Sequence, residues 1–230
     1  LYPQFSTTTT ASSFDDFNAA MGYRHPRTTT ICCYPEEEGF IRALGMMTRV
    51  CYQQAAAHGK PRILLSAHGL PEKTVRAGDP YPEHCKRTAD ALMASLGMTD
   101  ADHVLCYQSR VGPLKWIGPA TDDEIRRAGR DKVPIVVVPI AFVSEHSETL
   151  VELDIEYREL AKACDVPFYV RAPAIGAAPA FIQGLSNLVR KALQSGEDCI
   201  SGSGERICAS GISRCPYRKK PETGENRDAL

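Results

Sequence analysis

The sequence predicts an α/β fold in which parallel strands alternate with helices that cover both faces of a sheet. Residues 135–138 (IVVV) are a run of β-branched side chains, which is typical of a strand buried on both faces. From residue 62 to residue 193, short apolar segments alternate with longer amphipathic segments, the pattern of parallel strands joined by helices. These two observations predict a three-layer arrangement with parallel strands in the middle.

Local signals set the bounds of the other elements. Pro35 followed by three glutamates is typical of a helix start, and Gly59-Lys60-Pro61 interrupts the chain after that helix. The predicted strands are residues 28–33, 62–66, 103–107, 135–138 and 167–170. The predicted helices are residues 14–21, 35–57, 83–96, 122–128, one beginning near residue 148, and residues 179–193.

Composition excludes several classes of protein. The chain has 27 basic and 28 acidic residues, so there is no electrostatic case for binding nucleic acid. No run approaches the roughly 18 apolar residues of a membrane span. The nine cysteines lie largely within strand and helix patterns. That distribution predicts reduced thiols and a cytoplasmic protein.

The helix that follows residues 135–138 carries an apolar face and an acidic face. The predicted core-facing side chains are Leu150, Leu153, Tyr157, Leu160 and Cys164. Glu148, Glu152 and Glu156 lie four residues apart and form a column on another face. Such a column is most often simply the solvated face of a helix, and the alternative is a path for a cation or for protons.

Polar side chains follow three of the predicted strands. His68 comes after the strand at residue 62, Gln108 and Ser109 after the strand at residue 103, and His146 and Glu148 after the central strand. Ligands of open α/β sheets bind outside the carboxyl ends of the strands. We therefore expect these side chains to face one cleft, although a lone histidine is more often structural than catalytic.

Trp116, the only tryptophan, lies between Gly112-Pro113 and Gly118-Pro119. It either anchors this loop on the core or offers an aromatic face to a flat ligand.

Four stretches together resemble one family, the ferrochelatases, which insert ferrous iron into a porphyrin to form haem. They are LYPQFSTTTT at the start, LLSAHGLPEKTVRAGDPYP from Leu64, YQSRVGPLKWIGPATD from Tyr107 and VPIAFVSEHSETLVELDIEY from Val138. The resemblance covers residues 1–193 and is of the bacterial type. It implies two Rossmann-like lobes, with the first only partly present because the chain is N-terminally incomplete.

The resemblance and the breaks in composition together predict four regions. Residues 1–59 are the C-terminal part of the first lobe, and residues 60–178 form the second lobe. Residues 179–195 are a helix that packs back on the lobes. Residues 196–230 are a polar tail that contains cysteines.

The resemblance also implies roles for particular residues. Catalysis is expected from His68 and Glu148, through proton removal and metal handling. The expected metal-handling residues are His68, Glu148, Glu152 and Glu156, the last two as an acidic path. The expected substrate-binding residues are Trp116, Gln108, Ser109 and His146.

Some ferrochelatases carry a [2Fe–2S] cluster, which requires four thiolates. Cys199, Cys208 and Cys215 are the candidate ligands here. The bacterial pattern has a further cysteine two residues after the position of Cys215, where this chain has Tyr217. The Cys32-Cys33 pair is a possible source of a further thiolate, so the cluster stays an open expectation.

The expected activity is that of a lyase acting on ferrous iron and a porphyrin, with protoporphyrin IX as the expected substrate. Peripheral membrane contact of a cytoplasmic protein is compatible with the resemblance. Two alternatives remain: a related chelatase that loads cobalt or iron into a corrin or sirohaem precursor, and a non-catalytic module that binds haem or metal.

Overall fold

Six strands form two separate parallel sheets in the computed structural model, which describes residues 2–22 and 28–217. The strands are β1 (Thr30–Cys33), β2 (Arg62–His68), β3 (His103–Gln108), β4 (Ile135–Pro139), β5 (Tyr169–Arg171) and β6 (Cys199–Ser201). The larger sheet has the order β3-β2-β4-β5, and β1 pairs with β6 in the smaller one. Every neighbouring pair is parallel.

Seven α-helices and two π-helices connect and cover these strands within the described residues. The α-helices are α1 (Ser12–Met21), α2 (Glu38–Ala56), α3 (Glu72–Arg76), α4 (Tyr81–Leu96), α5 (Thr121–Asp131), α6 (Tyr157–Ala163) and α7 (Pro179–Ser195). The first π-helix is Thr7–Ala11 and the second is Glu148–Glu156.

The larger sheet is buried on both faces. Alternate residues of a strand point to opposite faces, so Ile63 and Leu65 of β2 enter one core while Leu64 enters another. The first core contains side chains of α2, α4 and α7, and the second contains side chains of α5, α6 and the second π-helix. The predicted α/β fold with parallel strands in three layers is confirmed.

The region predicted as a polar tail contains β6. Thr30 of β1 is the register partner of Cys199, and Ile31 is the partner of Ile200. Tyr217 packs against a small cluster that includes Phe5. The segment is therefore part of the packed structure as far as residue 217, and residues 218–230 lie outside the described residues. The other regional boundaries stay predictions.

The helix that follows β4 is not the α-helix that the sequence predicts. Glu148–Glu156 is π-helical, with i→i+5 hydrogen bonds, and α-helical geometry begins only at Tyr157. The wider turn changes which side chains face the sheet. Leu153 is fully buried, whereas Leu150, predicted to share its face, is 48% exposed.

Truncating each of these two leucines distinguishes the π-helical arrangement from the α-helical one. Leu153→Ala removes a side chain that is 0% exposed, and we expect it to lower the free energy of unfolding by about 2–5 kcal/mol. Leu150→Ala should lower the free energy of unfolding by less than about 1 kcal/mol. Urea denaturation of both variants measures the difference. Equal losses would favour the α-helical face instead.

Candidate active site

A cleft opens at the carboxyl ends of β2 and β4. The chain passes from β2 to β3 on one side and then crosses to β4 on the other side, so β2 and β4 flank the topological switch point. Ligands of doubly wound sheets bind at this point. The cleft has a volume of about 600 Å³, and its lining includes His68, Tyr81, Phe142, His146 and Glu148. This volume is within the range of about 300–1,000 Å³ typical of small-molecule sites.

His68 and Glu148 face each other across this cleft. Nε2 of His68 lies 3.7 Å from Oε1 of Glu148, and the two side chains are 38% and 36% exposed. Nδ1 of His68 lies 2.6 Å from the carbonyl oxygen of Gly69, which can only accept, so Nδ1 carries a proton. In the neutral imidazole, Nε2 therefore presents its lone pair to the cleft beside the Glu148 carboxylate.

His146 fixes the backbone at the start of the second π-helix. The amide of Glu148 donates to Nδ1 of His146 at 3.1 Å, and the carbonyl of His146 accepts from the amides of Thr149 and Leu150. The imidazole packs edge-on against Phe142 with ring centroids 4.6 Å apart. His146 lines the cleft, as expected, and also holds the segment that carries Glu148.

Gln108 and Ser109 do not line this cleft but bind Glu152. Nε2 of Gln108 donates to the Glu152 carboxylate at 3.1 Å, and the amide of Ser109 donates at 2.6 Å. The hydroxyls of Ser109 and Tyr157 donate to it as well. Burial first, and then the Glu152 charge, raises the pKa of Tyr157, so this hydroxyl stays a donor. The structure thus uses both expected substrate-binding residues to hold the end of β3 against the π-helix.

Replacing Glu152 tests this anchoring role. Glu152→Gln replaces an acceptor with an amide nitrogen that faces other donors, and we expect a loss of about 1–3 kcal/mol in stability. Glu156 is exposed and serves as the control, with Glu156→Gln expected to change stability by less than about 0.5 kcal/mol. Thermal or urea unfolding compares the two. Indistinguishable variants would show that the contacts to Glu152 contribute little.

Trp116 lies outside the lining of the cleft. Its backbone forms an antiparallel bridge with Pro71, and its ring lies so close to Gly69 that a Cβ there would be 3.2 Å from it. The amides of Glu72 and Ile117 extend this pairing by donating to the carbonyls of Lys115 and Leu70. This packing favours the loop-anchoring alternative for Trp116, and its contact with substrate stays a prediction.

One wall of the cleft was not identified as functional from the sequence. The lining includes Tyr2, Gln4, Ser6, Thr8 and Thr9, which all lie in the LYPQFSTTTT stretch and were assigned no functional role from the sequence.

Asp79, only 2% exposed, holds this wall in place. It accepts from the hydroxyl of Ser6 at 2.9 Å, and from the amides of Thr7 at 2.7 Å and Tyr81 at 2.9 Å. The position of these polar residues in the LYPQFSTTTT stretch was the available signal.

Two pairs of thiols lie together beside the smaller sheet. The thiols of Cys32 and Cys199 lie beside each other, as do those of Cys208 and Cys215. The neighbouring Cys208 thiol lowers the pKa of Cys215 to about 6, and burial lowers the pKa of nearby His84 to about 4. Within the described residues, no three His, Cys, Asp or Glu side chains are grouped to hold one metal ion.

These thiols fit the needs of a two-iron cluster better than those of a single metal ion. A [2Fe–2S] cluster takes four thiolates, two on each iron, so two separate pairs suffice. A mononuclear zinc site needs three or four ligands around one point.

The ferrochelatase family model matches residues 1–193. The chain belongs to the ferrochelatase family. It is 48% identical over 220 residues to a ferrochelatase of Caulobacter vibrioides, covering 95% of this chain and 62% of that protein. It is 49% identical over 222 residues to a ferrochelatase of Phenylobacterium zucineum, with 95% and 62% covered. It is 44% identical over 218 residues to a ferrochelatase of Rickettsia bellii, with 94% and 60% covered.

The chain spans about three-fifths of the length of these curated ferrochelatases. Among the residues that the structure describes, no helix has both the length and the apolar character to cross a bilayer.

Proposed function

We propose that the protein is a ferrochelatase, a lyase that inserts Fe²⁺ into a porphyrin to form haem. The observation that carries this proposal is the His68–Glu148 pair, which places an imidazole nitrogen 3.7 Å from a carboxylate inside the switch-point cleft. Metal insertion removes two protons from a neutral macrocycle and brings a dication to the same place. An imidazole base beside a carboxylate suits both demands.

His68 takes a proton from the macrocycle. Its Nε2 lone pair faces the cleft, because Nδ1–H is engaged by the carbonyl of Gly69 at 2.6 Å. A positioned base of this kind contributes about 10²- to 10⁴-fold to a rate. The imidazolium that forms is stabilised by the Glu148 carboxylate next to it.

Glu148 handles the metal and the second proton. Carboxylate and imidazole ligands hold Fe²⁺ less tightly than a set of thiolates, so the ion can be passed on. The amide of Glu148 is fixed by His146, while its carboxylate keeps 36% exposure towards the cleft. Glu148 thus has an anchored backbone and a carboxylate that a ligand in the cleft can reach.

Glu152 and Glu156 form the acidic path behind this pair. Glu152 is half-buried and bound by several donors, so we assign it an electrostatic role in attracting the cation rather than a ligating one. Glu156 is exposed and marks the outer end of the path. His146, which lines the cleft, remains the proposed residue beside the porphyrin, and contact of Trp116 with it stays a prediction. Gln108 and Ser109 act through Glu152.

Protoporphyrin IX is the proposed porphyrin, and the cytoplasm is the proposed location, with peripheral membrane contact as a separate hypothesis. Co-sedimentation with liposomes tests that contact. We also propose a [2Fe–2S] cluster bound by Cys199, Cys208, Cys215 and a fourth ligand. When bound, such a cluster supplies one-electron redox chemistry, and no step of metal insertion is assigned to it here.

Anaerobic incubation of the full-length protein with Fe²⁺ and protoporphyrin IX, followed by absorbance, tests the proposed function. We expect many equivalents of haem per protein. Bound porphyrin without turnover would indicate the non-catalytic binding module. Turnover only of a corrin or sirohaem precursor with cobalt or iron would indicate the related chelatase.

A further inference from the structure

The thiol pairs come from two different parts of the chain. Cys32 and Cys199 lie on the neighbouring strands β1 and β6, where the register shifts between Ile31 and Cys33. Cys208 and Cys215 lie in the segment that follows β6, and Ile207 and Tyr217 of this segment pack against the buried cluster that contains Cys32. Cys32, Cys208 and Cys215 are each less than 10% exposed. Three of the four thiols are thus shielded from water, and Cys199 is partly buried.

Cys33 is the obvious competitor of Cys32, because its Sγ lies only 3.4 Å from Sγ of Cys32. The register separates the two. Cys33 is paired with Ser201, two residues beyond Cys199, whereas the thiol of Cys32 lies beside that of Cys199 itself. Cys32 therefore belongs to the four-thiol group, and Cys33 borders it.

We propose that Cys32 is the fourth ligand of an iron–sulfur cluster that Cys32/Cys199 and Cys208/Cys215 bind as two pairs, and that His84 positions Cys208 by a hydrogen bond to its sulfur. This inference rests on the proposed [2Fe–2S] cluster. It explains how the site is complete although Tyr217 stands where bacterial cluster-bearing relatives are expected to have a cysteine. Tyr217 instead packs beside Cys199 and Cys32 and donates from its hydroxyl to the carbonyl of Gly204 at 3.0 Å.

The tautomer of His84 follows from its backbone partner. His84 is 0% exposed, and its Nδ1 accepts from the amide of Phe5 at 3.1 Å. Nδ1 therefore carries no proton, and the proton of the neutral ring is on Nε2. Nε2 lies 3.2 Å from Sγ of Cys208, so the ring donates to this sulfur and is not itself a ligand.

The same imidazole connects the thiol group to the catalytic cleft. Phe5 lies between Gln4 and Ser6, two residues that line the cleft, and its amide is the group that holds Nδ1. One imidazole ring thus lies between Cys208 and the wall of the cleft. A hydrogen bond to a cluster sulfur stabilises the reduced cluster, which carries one more negative charge, and therefore raises the midpoint potential.

Iron and acid-labile sulfide, measured after anaerobic reconstitution of the protein with Fe³⁺ and sulfide, test the ligand set. We expect about two irons and two sulfides per chain by the composition of such a cluster, and the loss of both in Cys32→Ser and Cys199→Ser. Cys33→Ser is the matched control and should keep the cluster and its visible spectrum. Retention in Cys32→Ser together with loss in Cys33→Ser would overturn the assignment.

If the wild-type protein takes up neither iron nor sulfide, the proposal of a cluster is wrong. Bound zinc or iron without sulfide would lead to the same conclusion. Neither outcome affects the proposed porphyrin metallation, which is assayed separately on the same samples with Fe²⁺ and protoporphyrin IX. Circular dichroism distinguishes loss of a ligand from loss of the fold.

His84→Phe tests the positioning role. We expect a cluster that still forms but has a lower midpoint potential and an altered electron paramagnetic resonance spectrum. His103→Phe, at the first residue of β3, is the control and should leave both unchanged. An unchanged potential in His84→Phe would overturn the hydrogen-bond assignment.

Discussion

His68→Ala is expected to lower the turnover of metal insertion by about 10²- to 10⁴-fold. The variant removes the only group at the end of β2 whose lone pair faces Glu148 within the described cleft. His68 is about one-third exposed, so the fold should tolerate its loss with little change in stability. Steady-state assays with Fe²⁺ and protoporphyrin IX measure the effect.

His58→Ala is the matched control, because His58 is exposed and stacks on Phe168 at the opposite end of the sheet. It should retain the wild-type rate. Porphyrin binding, followed by fluorescence quenching, should persist in His68→Ala. Lost binding with unchanged turnover at saturating porphyrin would assign His68 to recognition rather than to chemistry.

Glu148→Gln should give a loss of similar size, about 10²- to 10³-fold, by removing the charge while keeping the shape. The backbone amide that donates to His146 is unaffected, so the start of the π-helix stays in place. The expected loss therefore lies in kcat, with the KM for porphyrin changed only a few-fold.

Glu159→Gln, at an exposed position of α6, controls for removing a negative charge from the same region. It should insert metal at the wild-type rate. A normal kcat in Glu148→Gln combined with a raised KM for Fe²⁺ would restrict Glu148 to delivering the metal.

The sequence predicts the site at strand ends because parallel strands align their carboxyl ends. His68 and Gln108 are register partners at the ends of β2 and β3, and the loop after β4 brings Glu148 back to His68. The β-branched run of residues 135–138 marks the buried central strand. These relations follow from strand period and connection order alone.

The π-helix could not be predicted, because periodicity analysis assumes either 3.6 or 2 residues per repeat. Its start depends on local contacts of Thr149, whose hydroxyl accepts from the amide of His146 and donates to the carbonyl of the same residue. The binding of Glu152 by Gln108 and Ser109 could not be predicted from the sequence either. Ser109 adopts a positive φ of 58°, a left-handed conformation that presents its amide and hydroxyl to Glu152.

The packed segment after α7 was missed for a different reason. β6 has three residues, too few for an alternating pattern, and its surroundings are rich in glycine and serine. Its pairing with β1 joins residues about 170 positions apart, as in Thr30 with Cys199. Polarity alone therefore predicts a tail where long-range pairing makes a sheet.

A double-mutant cycle on the single-turnover rate of Fe²⁺ insertion measures directly whether His68 and Glu148 act on one event. If they form one proton- and metal-handling unit, the variant carrying both His68→Ala and Glu148→Gln will be nearly as fast as the slower single variant. Losses that multiply in full would mean that the two side chains act independently, and would contradict the assignment of this cleft as a single insertion site.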